Sequence, residues 1–370
     1  MTSGVLYIIF SLSNGGTQRN IVNTINKIQL KNQRKVLFLY NATKSSDLES
    51  QLDKSVKIYK VTNSSKFKNF IRYFTLIKII KKEKITSVVS FALNGSYLVL
   101  FSKIFFPFKN LPIIYRLVSV DSALTISNFW LISKIKNFLF INFVCRFVDT
   151  IVCQSDFMKN SLVSKSVTLL KNKTVVIKNL VDFSRIDENT NECFNPNYQY
   201  FVFVGRLSPE KNVADIIKAF NLIKDKTDCK LLIIGEGKEF ELIKHVIASF
   251  NLEERVLILG FMTNPYKYIN RAISLILYSS YEGFPNVVLE AMYCKTPTII
   301  SDFEGAEELI NHKENGFIAK RNDVNDLSSY MLEMIKNKNL RKKMAAKSYD
   351  YVLNLNAKSI NKYKFLFDSK

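Results

Sequence analysis

Short apolar runs alternate with amphipathic stretches along most of the chain. In the first half these runs have the length and residue types of buried strands, at Val5–Phe10, Lys35–Tyr40, Val56–Val61, Ile85–Phe91, Leu111–Val118 and Thr150–Gln154. Helical periodicity fills several of the intervals between them, for example at Phe67–Lys82. Strands that alternate with helices at this spacing favour a parallel sheet covered on both faces. Residues 1–180 are therefore predicted to form one doubly wound α/β domain.

The same alternation begins again after a polar stretch at residues 184–199, which we interpret as a linker. Strand-like runs follow at Tyr200–Val204, Lys230–Ile234, Val256–Gly260, Ser274–Tyr278 and Thr298–Ser301, and residues 324–352 have helical periodicity. We predict a second doubly wound domain at residues 181–350 and a C-terminal helix at 351–370. At 370 residues the chain is too long for one typical core, which also favours two domains.

The net charge of +21 is concentrated in the first half of the chain. Residues 1–180 hold 27 Lys and Arg against 7 Asp and Glu, whereas the remaining residues hold 26 against 25. This asymmetry predicts an anionic partner for the first domain. Two segments there, residues 97–109 and 130–147, mix large aromatics with Lys and Arg and contain no acids. Such segments are typical either of core helices with a solvated face or of a surface that enters the headgroup zone of an anionic membrane.

Several classes of protein are disfavoured. The longest apolar stretch, Leu131–Val148, contains three basic residues, so we expect no membrane span. The apolar run near the N-terminus is short and lacks a charged lead, which favours a strand over a signal peptide. No standard nucleic-acid-binding motif is present. The five cysteines have no metal-ligand spacing and are predicted to be buried thiols in a reducing compartment: Cys145, Cys153, Cys193, Cys229 and Cys294.

One strand-to-helix turn carries the most informative chemistry. After the run Ser274–Tyr278, Gly283 permits a tight turn and Pro285 suits the first position of a helix. Such a turn directs backbone N–H groups at one point and so favours phosphate. Glu282 lies on the turn and Glu290 two helical turns further on, and ionised carboxylates accept hydrogen bonds from sugar hydroxyls. A nucleotide-sugar has this shape, with hydroxyl-rich groups on both sides of a pyrophosphate.

Two other strand-to-helix loops point the same way. Arg206 and Lys211 follow the run Tyr200–Val204 and are predicted to clamp a pyrophosphate, Arg through two hydrogen bonds and Lys as a point charge. The alternative is a surface ion pair between Glu210 and Lys211. After the first strand, Gly15 and Gly16 precede a helix and form a further phosphate-friendly loop.

These motifs resemble those of a known family. Tyr281-Glu-Gly-Phe-Pro-Asn-Val287, and Gly205-Arg-Leu-Ser-Pro-Glu-Lys-Asn212, resemble the signatures of retaining GT4 glycosyltransferases. The resemblance implies the GT-B fold, in which two Rossmann-like doubly wound domains face a central cleft and a C-terminal helix crosses back to the first domain. It further implies that Glu282 contacts the transferred sugar and Glu290 the ribose.

The resemblance also assigns the remaining site residues. Arg206 and Lys211 would hold the donor phosphates and, with Glu282, form the catalytic set, while the base would rest near Phe261. The donor-binding residues implied are Gly15, Gly16, Gly205, Arg206, Lys211, Gly235, Phe261, Glu282, Gly283, Phe284, Pro285, Asn286, Val287 and Glu290. Arg19 and Arg116 are the expected acceptor contacts, Arg116 because the first half lacks the His that many relatives carry.

The expected reaction is transfer of a hexose or N-acetylhexosamine, with retention, from a nucleotide-diphosphate sugar, UDP being preferred over GDP. No Asp-x-Asp tripeptide occurs, so we expect neither a metal nor another cofactor. The basic, aromatic first domain suggests a polyprenyl-diphosphate-linked glycan as acceptor and peripheral attachment to the anionic inner face of the cell membrane. This combination suggests bacterial surface polysaccharide synthesis, either of capsule or of the O-antigen of lipopolysaccharide.

Three alternatives stay open at this point. A GT-B sugar-nucleotide epimerase would need acid–base residues such as His in the cleft, and a phosphorylase would need a pyridoxal-binding Lys. A non-catalytic scaffold that binds membranes or nucleic acid would explain the charge but not the four residues Arg206, Lys211, Glu282 and Glu290. The sequence leaves the sugar, the linkage and the oligomeric state undetermined.

Overall fold

The structure, a computed structural model, describes residues 3–12, 15–28, 33–42, 47–62, 68–91, 95–100, 111–117, 145–164, 170–190, 192 and 194–368. The chain divides into two compact units. The first comprises residues 1–180 with 357–370, and the second comprises residues 181–356.

The first unit is built on a seven-stranded sheet in the order β3-β2-β1-β4-β5-β6-β7. Its strands are β1 (Ser3–Ile9), β2 (Gln33–Ala42), β3 (Lys57–Thr62), β4 (Ile85–Ser90), β5 (Ile113–Arg116), β6 (Thr150–Cys153) and β7 (Thr174–Val176). All neighbouring strands pair in parallel. The helices are α1 (Gly16–Lys27), α2 (Asp47–Ser50), α3 (Lys68–Lys82) and α4 (Asp156–Ser164), with further helical residues at 95–100 and Cys145–Phe147.

Both faces of this sheet are buried, as expected for parallel strands. Leu6 and Ile8 point into a core that includes the buried side of α3. Val5 and Tyr7 point to the opposite face, into a core shared with α1 and residues near the C-terminus. Alternate residues of one strand therefore serve two separate apolar layers, which is why the predicted runs are apolar throughout.

The second unit has a six-stranded sheet in the order β10-β9-β8-β11-β12-β13. The strands are β8 (Tyr200–Val204), β9 (Lys230–Ile234), β10 (Val256–Gly260), β11 (Ser274–Leu277), β12 (Thr298–Ser301) and β13 (Phe317–Ala319). The helices are α5 (Phe183–Thr190), α6 (Val213–Asn221), α7 (Phe240–Ser249), α8 (Tyr266–Ile269), α9 (Asn286–Tyr293), α10 (Val324–Lys336) and α11 (Lys338–Asp368). Residues 357–368 of α11 belong to the first unit, where Tyr363, Leu366 and Phe367 are buried.

Two expectations about local structure are wrong. Residues 184–199 are not a simple linker, because α5 occupies their first part and buries Ile186 in the core of the second unit. Pro285 is not the first helical residue: α9 begins at Asn286, and Pro285 stands just before it in an extended conformation. Its fixed φ is compatible with either position.

The predictions for the aromatic, basic segments fall mainly outside the described residues, which include only 97–100 and 145–147 of them. Among the cysteines, Cys153, Cys229 and Cys294 are buried free thiols, and burial raises the pKa of Cys153 to about 12. Within the described ranges, no helix combines the length and apolarity needed to cross a bilayer.

Candidate functional site

The candidate site lies at the carboxyl edge of the second sheet, where the direction of the chain through the sheet reverses. From β8 the chain continues to β9 and β10 on one side and then to β11, β12 and β13 on the other. The connections that leave β8 and β11 therefore diverge, and a reversal of this kind is where open α/β sheets form a ligand-binding crevice. Residues 205–212 follow β8 and residues 278–285 follow β11, so the two strongest sequence motifs meet there.

Backbone and amide hydrogen bonds join these two loops. The Ser280 N–H donates to the Glu210 carbonyl at 2.8 Å, and Asn212 Nδ2 donates to Ser280 Oγ at 2.9 Å. Asn212 has a left-handed backbone (φ 47°) immediately before α6, and its side chain makes no capping bond. The Asn212 amide is instead used across the loops, and the Ser208 hydroxyl donates to Glu210.

Lys211 and Glu282 form an ion pair between the loops. Lys211 Nζ contacts Glu282 Oε1, and the same oxygen accepts a hydrogen bond of 2.7 Å from Ser279 Oγ. The side chains of the pair are 19% and 12% exposed, so each charge depends on a nearby partner. The alternative pairing of Lys211 with Glu210 is not formed, since Glu210 instead accepts from Ser208 Oγ at 2.6 Å.

The β8 loop concentrates positive charge at the crevice. Burial opposes ionisation of Glu210, but the Ser208 hydroxyl, a backbone amide and the cations Lys211 and Arg206 together hold the pKa of its carboxyl below the ordinary value. The Arg206 side chain is exposed and makes no hydrogen bond or ion pair within the described part of the chain. Its guanidinium can therefore turn to an incoming anion without breaking a hydrogen bond or ion pair.

Two glycines after β9 allow the neighbouring loops to pack backbone against backbone. Gly235 has a φ of 148°, and a Cβ there would lie 1.8 Å from the Gly205 carbonyl oxygen. At Gly237 a Cβ would lie 2.1 Å from the Leu207 oxygen. The Leu207 N–H donates to the Glu236 carbonyl at 2.9 Å, and Gly235 N–H donates to Gly260 at 2.8 Å. These contacts fix the backbone on either side of Arg206.

The β11–α9 connection supplies the second half of the site. Phe284 is 5% exposed and anchors the turn in the core. Gly283 and Pro285 lead into α9, and Asn286 and Val287 are its first two residues. The first amides of α9 carry the partial positive charge of a helix N-terminus. Glu290, further along α9, is 5% exposed and accepts a hydrogen bond of 3.4 Å from Tyr266 Oη.

Phe261 lies at the end of β10, next to Gly260, and 45% of its surface is exposed. Its N–H is 3.4 Å from Glu236 Oε1. The structure thus brings the predicted residues of the second unit to one edge of one sheet, across the ends of β10, β9, β8 and β11. Their individual contacts with a ligand stay predictions.

Arg321 belongs to this site and was not predicted from the sequence. Its Nη1 donates to the Ser280 carbonyl at 3.0 Å and to Glu304 at 3.2 Å, and its Nε donates to Asp302 at 3.0 Å. Arg321 thereby ties the Glu282 loop to the loop that follows β12. This residue lies outside every motif described for the sequence. Its only sequence signal was a positive charge that could pair with acidic residues.

Three predicted residues lie in the first unit, at the corresponding reversal between β1 and β4. Gly15 precedes α1 with an extended backbone (φ −167°), Gly16 is the first helical residue, and the Arg19 N–H donates to the Gly15 carbonyl at 3.0 Å. A Cβ at Gly15 would meet only the end of the Gln18 side chain. Roles for these residues in binding a donor or an acceptor stay predictions.

Arg116 is in an environment that does not support its predicted role. It is 1% exposed, and its guanidinium donates to Asn179 Oδ1 at 2.7 Å and to the hydroxyl of Tyr363. Asn179 also accepts from Asn20 at 2.8 Å. Arg116 is thus a buried cation on β5 that is bonded to the end of α11 and linked to α1 through Asn179. A contact between Arg116 and an acceptor stays a prediction.

Within the described residues, no cluster of His, Cys, Asp and Glu could hold a metal ion. The predicted independence from metals is not tested by this observation and stays a prediction.

Comparisons with known proteins agree with this geometry. Residues 185–351 match the family model described as glycosyl transferases group 1. The chain is 34% identical over 187 residues to the N-acetylgalactosamine-N,N'-diacetylbacillosaminyl-diphospho-undecaprenol 4-alpha-N-acetylgalactosaminyltransferase of Campylobacter jejuni, a match covering 49% of this chain and 51% of that protein. The chain thus spans about half the length of this curated relative.

The fold is similar to that of solved structures over the full length of the chain. Anabaena HepE in complex with UDP and glucose has a TM-score of 0.78 at 17% identity, with 98% of this chain and 99% of that chain covered. The sucrose-phosphate synthase of Thermosynechococcus elongatus has a TM-score of 0.79 at 15% identity, with 100% of both chains covered. The resemblance to glycosyltransferases and the GT-B fold, both predicted from the sequence, are confirmed.

Proposed function

We propose that this protein is a retaining glycosyltransferase that moves a hexose or N-acetylhexosamine from a nucleotide-diphosphate sugar, preferably a UDP-sugar, to a polyprenyl-diphosphate-linked glycan. The observation that carries this proposal is the meeting of two cations and an acid at one topological reversal: Arg206, Lys211 and Glu282. That arrangement suits a diphosphate on one side and hydroxyls on the other. The UDP bound by the Anabaena neighbour supports the choice of base.

The cations act on the leaving group. When the bond between the anomeric carbon and the β-phosphate oxygen breaks, its electron pair goes to that oxygen, and negative charge develops on the diphosphate. Lys211, the first amides of α9 and Arg206, which turns towards the anion, stabilise this charge, and such stabilisation often contributes more to catalysis than any other effect. A diphosphate also replaces Glu282 as the anionic partner of Lys211.

The acids orient the sugars. Glu282 accepts hydrogen bonds from the transferred sugar and Glu290 from the ribose. The acceptor hydroxyl attacks the anomeric carbon on the face that the diphosphate leaves, and its proton passes to the departing phosphate oxygen. The configuration is therefore retained, and no metal takes part because the side-chain cations supply the positive charge.

The acceptor is inferred from charge and from the Campylobacter relative, whose name includes a diphospho-undecaprenol substrate. The large excess of Lys and Arg in residues 1–180 suits a diphosphate and an anionic membrane. We place the enzyme at the inner face of the cell membrane in surface polysaccharide synthesis, for capsule or O-antigen.

The test is incubation with UDP- and GDP-sugars in EDTA, together with a defined polyprenyl-diphosphate oligosaccharide. A mass increase of the acceptor by one sugar, with release of UDP, is expected for the wild type and should be reduced about a hundredfold or more in Lys211→Ala. Conversion of the sugar nucleotide without an acceptor would identify an epimerase. If no nucleotide-sugar is bound or consumed, the proposed function is wrong.

A further inference from the structure

Helix α3 of the first unit exposes an apolar face. Phe70, Ile71 and Phe74 are 67%, 44% and 59% exposed, although the same helix buries Leu76 and Ile80 completely or nearly so. Large apolar side chains scattered singly on a surface need no explanation, but three within five positions of one helix form a contiguous patch.

The exposed residues form one stripe. At 100° per residue, five exposed side chains fall within about a third of the helix circumference: Phe70, Ile71, Phe74, Lys78 and Lys82. The buried side chains occupy the other side, against the sheet. We refer to Phe70, Ile71, Phe74, Lys78 and Lys82 as the α3 face. Its first half is aromatic and aliphatic, and its second half is basic.

Contacts on the buried side of α3 fix the orientation of the helix. Arg72 is 9% exposed, and its Nη2 donates to Asn41 Oδ1, at the end of β2, at 2.7 Å. Its guanidinium also lies 5.7 Å from the centre of the Tyr40 ring. The α3 face therefore cannot turn inward, and its apolar half lies at the carboxyl edge of the first sheet, the edge that also carries Gly15.

The charge around the face identifies the partner. Helix α3 contains no acidic residue. The first unit as a whole holds 31 Lys and Arg against 8 Asp and Glu, whereas the second holds 22 against 24. Aromatic side chains beside lysines, on a unit of this charge, match the two layers of a membrane surface: acyl chains below anionic headgroups.

We propose that the α3 face docks the first unit on an anionic lipid surface, with Phe70 and Phe74 in the acyl boundary and Lys78 and Lys82 at the headgroups. This inference deepens the proposed function by naming the surface through which the enzyme reaches a lipid-linked acceptor. The docking itself requires no turnover, so the two can fail separately.

The test is flotation of the full chain with phosphatidylcholine vesicles that contain or lack phosphatidylglycerol. We expect binding to the anionic vesicles, and at least about tenfold weaker binding of the double variant Phe70→Ser, Phe74→Ser, because the apolar contribution is lost. Phe365→Ser is the matched control. Phe365 is 76% exposed, on the segment of α11 that covers the opposite face of the sheet, and this variant should bind as the wild type does.

The basic half is tested separately. Lys78→Gln with Lys82→Gln should weaken binding by about fivefold for each lysine at low salt, and this difference should shrink at high salt. Lys342→Gln with Lys343→Gln removes the same charge from exposed positions in the second unit and should have no effect.

A direct reporter uses the single tryptophan of the chain, Trp130. In a Trp130→Phe background, the emission of Phe74→Trp should shift to the blue on anionic vesicles, and that of Phe365→Trp should not.

Unchanged flotation of the double Phe variant, equal flotation on both lipid compositions, or an equal loss in Phe365→Ser would each overturn the proposal. Thermal stabilisation by UDP without vesicles reports on the donor site, so its absence would contradict the proposed function and leave the docking result intact.

Discussion

At the scale of single residues, the site depends on side chains that have two possible partners. Lys211 pairs with Glu282 in the structure, and both side chains are less than one-fifth exposed. Because a buried charge without a partner is costly, Lys211 must remain next to an anion. In the proposed function a diphosphate fills that position, while Glu282 keeps Ser279 as a donor and accepts hydrogen bonds from the sugar.

Gly235 gives the first prediction. Gly235→Ala should destabilise the second unit by about 2–4 kcal/mol, because the backbone has a φ of 148° and a Cβ would meet the Gly205 carbonyl oxygen at 1.8 Å. Urea denaturation measures this loss. Gly15→Ala is the control, since a Cβ there meets only a movable side chain, and its effect should be within about 0.5 kcal/mol. Equal effects of the two substitutions would contradict this explanation of the loop packing.

At the scale of elements, hydrogen bonds join the loops that follow neighbouring strands. The loop that carries Glu282 is bonded on one side to Glu210 and Asn212 and on the other to Arg321. Arg321 is a positioning residue, since its contacts are with the Ser280 carbonyl and two carboxylates.

Arg321→Gln should lower kcat about tenfold or more, because the Glu282 loop loses its support, and should change the Kd for UDP much less. Arg321→Lys keeps the charge but not all the hydrogen bonds, so it should restore part of kcat. Steady-state kinetics with UDP titration separate the two quantities. Arg271→Gln, at the opposite end of β11, should leave both unchanged; a parallel loss there would indicate a general effect on stability.

A feature could be predicted from the sequence when the interactions that form it join residues close together in the chain. The strands could be predicted because burial on both faces makes each one apolar throughout, and the loop motifs because they are contiguous. Arg321 could not be predicted, since it lies 39 positions after Glu282 in the sequence. The burial of Arg116 against Asn179 and Tyr363 could not be predicted, because those residues are distant from it in the sequence.

Glu83, the residue that follows α3, gives a prediction that depends on pH. It is 1% exposed, and hydrogen bonds from Lys57 and Tyr59 hold its pKa below the ordinary value of 4.5. A depressed pKa in the folded state stabilises the protein above pH 4.5, and this contribution is lost as pH falls through the folded value.

Glu83→Gln should therefore cost about 1–3 kcal/mol at neutral pH and progressively less as the pH falls below 4.5. Urea denaturation across this range measures the difference. Glu314→Gln, which removes an ion pair exposed by 60% on both sides, should cost less than about 1 kcal/mol. A Glu83→Gln penalty that grows on acidification would contradict the assignment.

At the scale of the whole molecule, the two units differ in net charge. The first carries a net charge of +23 and the second −2. The excess of positive charge is thus on the unit proposed to meet the membrane and the acceptor. The unit with the proposed donor site is nearly neutral, with two of its cations, Arg206 and Lys211, placed in the β8 loop.

The end of α11 completes the first unit. Tyr363 is 1% exposed, so Tyr363→Ala should cost about 3–5 kcal/mol, from the lost apolar contacts and from the buried Arg116 that loses a partner. Tyr363→Phe isolates the hydroxyl and should cost less. Denaturation followed by circular dichroism measures both. The exposed Phe365→Ala should stay within about 0.5 kcal/mol, and a similar loss there would contradict the specific role of Tyr363.

Calorimetric titration with UDP and with UMP in EDTA tests the central claim most directly. The wild type should bind UDP more tightly than UMP, and Lys211→Ala should weaken UDP binding by about tenfold to a hundredfold while reducing the preference for UDP. Lys244→Ala, an exposed lysine on α7 of the same unit, should bind as the wild type does. Absence of UDP binding, or equal losses in the two variants, would contradict the account.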